Sequence, residues 1–455
     1  MTPTAPHRKL SLPVCSHTPA PYVGPSREEV LAIRREHLSP GLFTYYKQPL
    51  MIVQGRMQYV WDETGTRYLD GYGGIVSVSV GHCHPKLVQR VQEQVATLGH
   101  TTTIYVHPTI GMYAKKLSEH MPPESGLSSC YFTNSGSEAN EMAILAAREF
   151  TGNNEIISLR NGYHGGTGAT MGLTATGTWK FKSASPMPVK HGMPGYCYRC
   201  PYGLTYPSCD VKCAHDIKNV IEYETSGEVA VFIAECIQGV GGAIVPPREY
   251  FKIVYDIIRQ HGGLCVADEV QGGFGRTGTK FWAFENWDVT PDIVTMAKGI
   301  ANGAPCGAMV TRPEVSATLK NRHHFNTFGG NPVSMTQALA TLEIIDEEKI
   351  QQNALNVGTH LKNRLLELQE RHALIGEVRG MGLMIGVELV KDRASKAPAD
   401  QDAAEVMELC RERQLLIGRG GLHGNVLRIK PPMCITRDDA DYIADCLDEV
   451  LPMAQ

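Results

Sequence analysis

Two hydrophobic rhythms run along this chain. From about residue 125, short unbroken apolar runs alternate with stretches of helical spacing. Residues 131–133 lead into a helix predicted over 137–150, and Ile156–Leu159, 229–234, 264–267 and Ile293–Met296 are further apolar runs, with a helix near Tyr250–Gln260. A strand that is apolar at every position must be covered on both faces, so these runs predict a buried, mostly parallel sheet flanked by helices. The flanking segments read differently. Ser26 and Glu29 form a capping-box pattern ahead of a helix over 26–38. Residues 51–69 alternate and read as a β meander with turns at Gly55 and Gly65. Pro85 opens a helix carrying Leu87, Val91, Val95 and Leu98 at helical spacing. Beyond Pro332 a long helical stretch reaches Ala373 with a break near Glu348, and residues 382–390 and 427–429 read as strands of an α+β tail.

Composition narrows the class. At roughly 100–200 residues per domain, 455 residues predict two to four domains. The pattern divides them into an N-terminal arm and segment (1–75), a large α/β domain (76–326) and a C-terminal domain (327–455). A hydrophobic fraction of 42% with 20% charged residues excludes disorder, collagen and coiled coil. A net charge of −4 carries no basic field for nucleic acid, and no apolar run is long enough to span a membrane. Small molecules are the expected partners. The segment from Met1 to Arg27 has no acidic residue, as in a transit peptide, but its scattered prolines favour a floppy arm. The 13 cysteines read as reduced thiols. Four of them, Cys197, Cys200, Cys209 and Cys213, could hold zinc. Their spacing fits no standard ribbon, and a Pro/Tyr-rich surface insert is the favoured reading, with no metal expected.

Ligands of such sheets gather at the carboxyl ends of the strands. Four features stand there. Ser135, Gly136 and Ser137 join a strand to a helix N-terminus, where free N–H groups and hydroxyls suit a phosphate, although they would equally make an ordinary cap. Asp268 ends a run of four apolar residues and is costly to bury without a partner. Lys298 ends another run, where desolvation would lower its pKa and make it nucleophilic. Tyr163 and His164 lie in a Gly-rich loop, where an aromatic can stack on a planar ligand. A phosphate cradle, a carboxylate, a nucleophilic amine and a stacking ring together are what pyridoxal 5'-phosphate requires.

These features sit in a series of motifs: Gly81 to Pro85 (GHCHP), NSGSEANE at 134–141, NGYHGG at 161–166, AECIQG at 234–239, ADEVQGGFGRTG at 267–278, MAKGI at 296–300, FNTFGGNP at 325–332 and LRIKPP at 427–432. From about Ser39 to its C-terminus the chain resembles the class III aminotransferases of pyridoxal-phosphate fold type I. Within the class it is most similar to the group of the alanine–glyoxylate 2 and β-amino-acid–pyruvate enzymes. The resemblance implies an α/β fold with a large, mostly parallel-sheet cofactor domain and a smaller α+β domain built from the N- and C-terminal segments. It implies that Lys298 is the Schiff-base lysine and proton shuttle, that Asp268 pairs with the ring nitrogen, and that Tyr163 stacks on the ring beside His164. Ser135, Gly136 and Ser137 would take the phosphate, joined by Thr327 from a neighbouring subunit. Val270 and Gln271 would line the ring, Gln271 at its phenolic oxygen, and Glu235 would be an acid behind it.

Arg428 would grip a substrate carboxylate. Tyr45, Gly74 and Ile75 are further pocket candidates. Val240 stands where relatives acting on ω-amines carry an acid that masks the arginine, and Ile75 stands where diamine-acid enzymes can carry a tyrosine. Both imply an unmasked Arg428 and a small, apolar amino acid. The implied reaction moves an amino group from alanine, β-alanine or another β-amino acid to pyruvate or glyoxylate in a homodimer or tetramer. A lyase, decarboxylase or aminomutase on the same scaffold is the alternative, and an inactive scaffold protein is disfavoured because Lys298 and Asp268 are both present. The expected compartment is the cytoplasm, or the mitochondrial matrix in a eukaryote.

Overall fold

The computed structural model describes residues 10–182 and 187–454. The first nine residues of the arm lie outside them. The apolar runs form a seven-stranded sheet in the order Ser129–Thr133, Gly307–Thr311, Ile293–Met296, Leu264–Asp268, Val231–Ala234, Ile156–Leu159, Val189–Gly192. Gly307–Thr311 runs antiparallel to both its neighbours, and the other pairings are parallel. The reason for the unbroken apolar runs is visible in the core. Phe232 and Ala234 enter one hydrophobic cluster, while Val231 and Ile233 enter another across the sheet. Alternate residues face opposite layers, and both layers are dry. Each large aliphatic residue fully buried in this way stabilises the fold by about 1.5–3 kcal/mol.

Two smaller sheets complete the fold. Ile52–Arg56, Tyr59–Asp62 and Arg67–Asp70 form the predicted meander. Its first turn lies at Met57, which has φ 52°; Gly55 is paired with Val60 inside the first strand and makes no turn. The meander is extended by Leu415–Leu416, parallel to Arg67–Asp70, so the two ends of the chain meet in one sheet. The second small sheet contains Ile375–Met381, Met384–Asp392, Val426–Ile429 and Gly418–Gly420. The long helical stretch is two helices, Pro332–Glu347 and Ile350–Arg371, broken at Lys349 with φ 52°.

The arm is not floppy where it is described. Residues 10–25 have no helix or strand, yet Leu10, Leu12 and Cys15 pack on the core. Arg67 donates to Pro13 O at 2.7 Å and the His17 ring meets Trp61 at 5.0 Å. The prolines suit this extended path. No helix among the described residues is long and apolar enough to cross a membrane.

Candidate active site

Five strands deliver side chains to one cavity of about 190 Å³ at their carboxyl edge, lined by Gly136, Ser137, Asn140, Tyr163, His164, Gly165, Glu235, Asp268, Val270, Gln271, Ala297 and Lys298. The helix Gly136–Thr151 starts here because Ser135 has extended backbone and its Oγ accepts from Glu138 N at 3.2 Å. Its first turn points free N–H groups at the cavity. Ser135 therefore acts as the cap, while Ser137 lines the wall and accepts from Gly166 N at 3.3 Å. Gly165, at φ 133°, lets the loop pass over this turn; a Cβ there would collide with Ser137 Oγ and lie 2.7 Å from Thr170 Oγ1.

Asp268 is buried at the end of its strand. Oδ2 is 2.7 Å from His164 Nδ1 and accepts from Asn140 Nδ2 at 2.9 Å, and Oδ1 accepts from Val270 N at 3.1 Å. Burial is the largest single influence and opposes its ionisation, but the bonds from His164, Asn140 and Val270 together hold the carboxyl below its usual range. Asn140 is itself fixed by Thr295 Oγ1, which donates to its Oδ1 at 2.6 Å. Glu235, also buried, accepts from Tyr163 N at 3.0 Å and Gly239 N at 2.8 Å; burial pushes its pKa up. Tyr163 lines the cavity with its ring 5.2 Å from Trp179 at 69°.

Lys298 follows its strand with φ 48°, an uncommon conformation for a residue with a side chain. Its amine makes no hydrogen bond or ion pair with any described residue. Burial pulls its pKa down, reinforced by Arg428, while Asp268 and Glu235 act the other way. His164 Nε2 is buried without a partner.

The substrate-side candidates lie apart from the cavity lining. Arg428 is buried beside it and bonds Tyr72 Oη, Arg419 O at 3.1 Å and Gly239 O at 3.5 Å; among the described residues no acidic residue pairs with it. Tyr45 stacks on Tyr72 with centroids 6.1 Å apart and bonds the Arg419 backbone. It thus meets Arg428 through Tyr72 and through Arg419 O, which both residues bond. Gly74 and Ile75 lie in a run of four left-handed residues, 73–76, and Ile75 is 53% exposed. Thr327 is exposed and outside its own chain's cavity. Asn140, Tyr72 and Lys430 are site residues that pattern reasoning missed. Cys197, Cys200, Cys209 and Cys213 line one cavity of about 20 Å³, and among the described residues no group of His, Cys, Asp or Glu is arranged to hold a metal ion.

A phosphate fits the helix start and the space over Gly165, and an aldehyde on a pyridine ring fits an unpartnered buried amine that faces a buried carboxylate across the same cavity. The sheet and its cavity define the class of pyridoxal-phosphate enzymes. The family description Aminotransferase class-III matches residues 44–451, and the chain belongs to that family. It is 48% identical over 437 residues to alanine–glyoxylate aminotransferase 2 homolog 2, mitochondrial, of Arabidopsis thaliana, covering 96% of this chain and 90% of that protein. It is 40% identical to the human mitochondrial alanine–glyoxylate aminotransferase 2, covering 98% and 90%. Among solved structures, an amine transaminase from an uncultivated Pseudomonas species in its PLP-bound form superposes with a TM-score of 0.86 at 30% identity, covering 92% of this chain and 99% of that one. The protein is a pyridoxal-phosphate-dependent aminotransferase, transferring an amino group between an amino acid and a keto acid. The lyase and scaffold readings are set aside.

Proposed function

We propose that the amino donor is a small amino acid, alanine or a β-amino acid, and that the acceptor is glyoxylate or pyruvate. The observation that carries this reading is Arg428, a buried guanidinium beside the cavity with no carboxylate partner. A guanidinium so placed binds a substrate carboxylate bidentately. The names of the Arabidopsis and human relatives support the same substrate pair.

Lys298 would hold the cofactor through its amine, and that amine is the base that would take the proton from the donor's Cα. Burial pulls its amine's pKa down, the direction a base requires. Asp268, kept ionised by His164 and Asn140, would hold a proton on the ring nitrogen. Ser137, Gly136 and the helix N-terminus would hold the phosphate and Tyr163 would cover the ring, while Val270 packs against Gly136, whose absent Cβ would lie 3.1 Å from it. When bound, pyridoxal phosphate supplies a conjugated ring that spreads the negative charge left at Cα. Glu235 holds the Tyr163 and Gly239 backbones at the cavity rim.

Thr327 reaches the phosphate of a second copy in a homodimer. Its exposure, and the exposed Ile104, Tyr105, Val106 and Phe328, support a face covered by another subunit. The word mitochondrial in both relatives' names supports the matrix over the cytoplasm. A half-reaction tests the reading. Alanine or β-alanine, added without a keto acid, removes the loaded enzyme's visible absorbance stoichiometrically, and glyoxylate restores it. Lys298→Ala abolishes both changes. Loss of absorbance that glyoxylate cannot restore, or turnover that survives in Lys298→Ala, overturns it.

A further inference from the structure

Lys430 is one of the largest fully buried side chains in the molecule, with 0% exposure, and the chemistry above does not use it. It follows the strand that carries Arg428 and is fixed by its backbone, where its N–H donates to Gly71 O at 2.8 Å. A lysine is expensive to bury without several acceptors. Here its Nζ donates to Gly239 O at 3.1 Å and to Gln271 Oε1 at 2.9 Å. The Gln271 amide lies directly against the Gly239 backbone, where a Cβ would collide with it. The Gly239 N–H in turn is held by Glu235 at 2.8 Å. Glu235, Gly239, Lys430 and Gln271 thus form one connected frame behind the cavity.

A carboxamide at a cavity wall can present either its oxygen or its nitrogen. Lys430 Nζ meets the amide through its oxygen: an ammonium, with three donors and no acceptor, admits only that group, and a neutral amine still has an N–H to give it. The Gln271 orientation therefore follows from the chemistry of its partner. With Oε1 committed to Lys430, Nε2 remains for the cavity, and it makes no hydrogen bond with any described residue. A donor at that wall suits an anionic oxygen and disfavours a second acceptor.

We propose that Lys430 is a positioning residue that locks the Gln271 amide with its N–H₂ turned into the cavity, so that the wall offers a fixed donor to the phenolic oxygen of the cofactor ring. The inference rests on the reading of the cavity given above. Burial pushes Lys430 well below the usual lysine range, Arg428, Lys298 and Arg276 push the same way, and Glu235 opposes them. Gly239 O, which has no proton to give, takes an N–H from Lys430 in either protonation state.

The test is Lys430→Met, which keeps the volume and removes the donor, read by two signals besides activity. The dissociation constant of pyridoxal phosphate, measured by reconstituting stripped enzyme, rises about tenfold, the worth of one charge-assisted hydrogen bond. The pH at which the loaded enzyme's visible band titrates rises by about one, because a phenolate robbed of its donor holds the neighbouring proton more tightly. In a Gln271→Met background Lys430→Met adds nothing further to either signal, whereas a packing role would shift both backgrounds equally. Gln271→Glu provides an arm independent of the folding of the lysine variant: it keeps the Lys430 contact but has no donor left, and it weakens cofactor binding to the same degree. Unchanged signals in Lys430→Met, additive effects in the double variant, or undiminished affinity in Gln271→Glu overturns the inference. A wild-type enzyme without a visible band that Lys298→Ala removes would instead overturn the reading of the cavity beneath it.

Discussion

At the scale of single residues the site is a problem of opposed charges in a dry place. Lys298 and Asp268 are both buried, and burial disfavours the charged form of each. The two respond differently because their partners differ. Asp268 has two side-chain donors and a backbone N–H, which outweigh desolvation, while the Lys298 amine has no hydrogen-bond partner. The result is an acid held ionised in the same cavity as an amine whose pKa is lowered, the pairing that transamination uses. Asp268→Asn keeps the shape and the Val270 contact but removes the charge. Turnover is expected to fall roughly 100- to 1,000-fold. The visible band should survive, because Lys298 is intact. Steady-state kinetics alongside the absorption spectrum check both halves, and undiminished turnover would remove Asp268 from its role.

At the scale of elements, the chain's own pattern revealed the strands that read as apolar runs and hid those broken by glycine or charge. Val231–Ala234 and Leu264–Asp268 are buried at every position and read as unbroken apolar runs. Val189–Gly192 escaped because it is the sheet's edge and carries Lys190 and His191; Gly307–Thr311 opens on a glycine, and Ile375–Met381 mixes glycine and charge. The cofactor residues were legible because strand ends gather them. Asn140, Tyr72 and Lys430 were not, because their partners stand 128, 356 and 159 residues away, and nothing local marks the pairing. The loop after Ile156–Leu159 was readable as Gly-rich, but only the structure shows why Gly165 must be glycine. Gly165→Ala places a methyl against Ser137 and Thr170 at a φ that side chains avoid. The loop can only lift off the helix start. Pyridoxal phosphate should then bind 10- to 100-fold more weakly, roughly the cost of one strained residue, while thermal unfolding of the stripped protein shifts by only a few degrees. Titration of stripped enzyme with the cofactor decides it.

At the scale of the whole molecule, the groups that would hold cofactor and substrate sit on different sheets, and buried arginines keep those sheets in register. Arg276, from the loop after Asp268, donates to Leu383 O at 3.0 Å and Pro431 O at 2.9 Å, beside the strand bearing Arg428. Farther out, the cysteine-bearing insert is the second fastening. Its Tyr196 and Arg199 bond Glu388, which also receives Arg379 at 2.7 Å, and Arg379 donates to Gly242 O at 2.9 Å in the loop after Val231–Ala234. Glu388 is fully buried. Burial pushes its pKa up, but Arg379, Tyr196 and Arg199 together pull it below the usual range. Its stabilising contribution is therefore complete above the pKa of an unfolded glutamate, about 4.3, and is lost as pH falls through the lower folded value. Glu388→Gln leaves the buried Arg379 and the half-buried Arg199 guanidinium groups short of a charge. It should destabilise the protein by about 3 kcal/mol near neutral pH, with the deficit shrinking toward acidic pH as the wild-type carboxyl protonates. Because the fastening aligns Arg428 with the cavity but touches no cofactor-lining residue, the KM for the carboxylate substrate should rise while the visible band keeps its position. Urea unfolding across the pH range, together with KM measurements, separates these effects. A pH-independent deficit would mean that the insert fastens the two sheets by packing, not by charge.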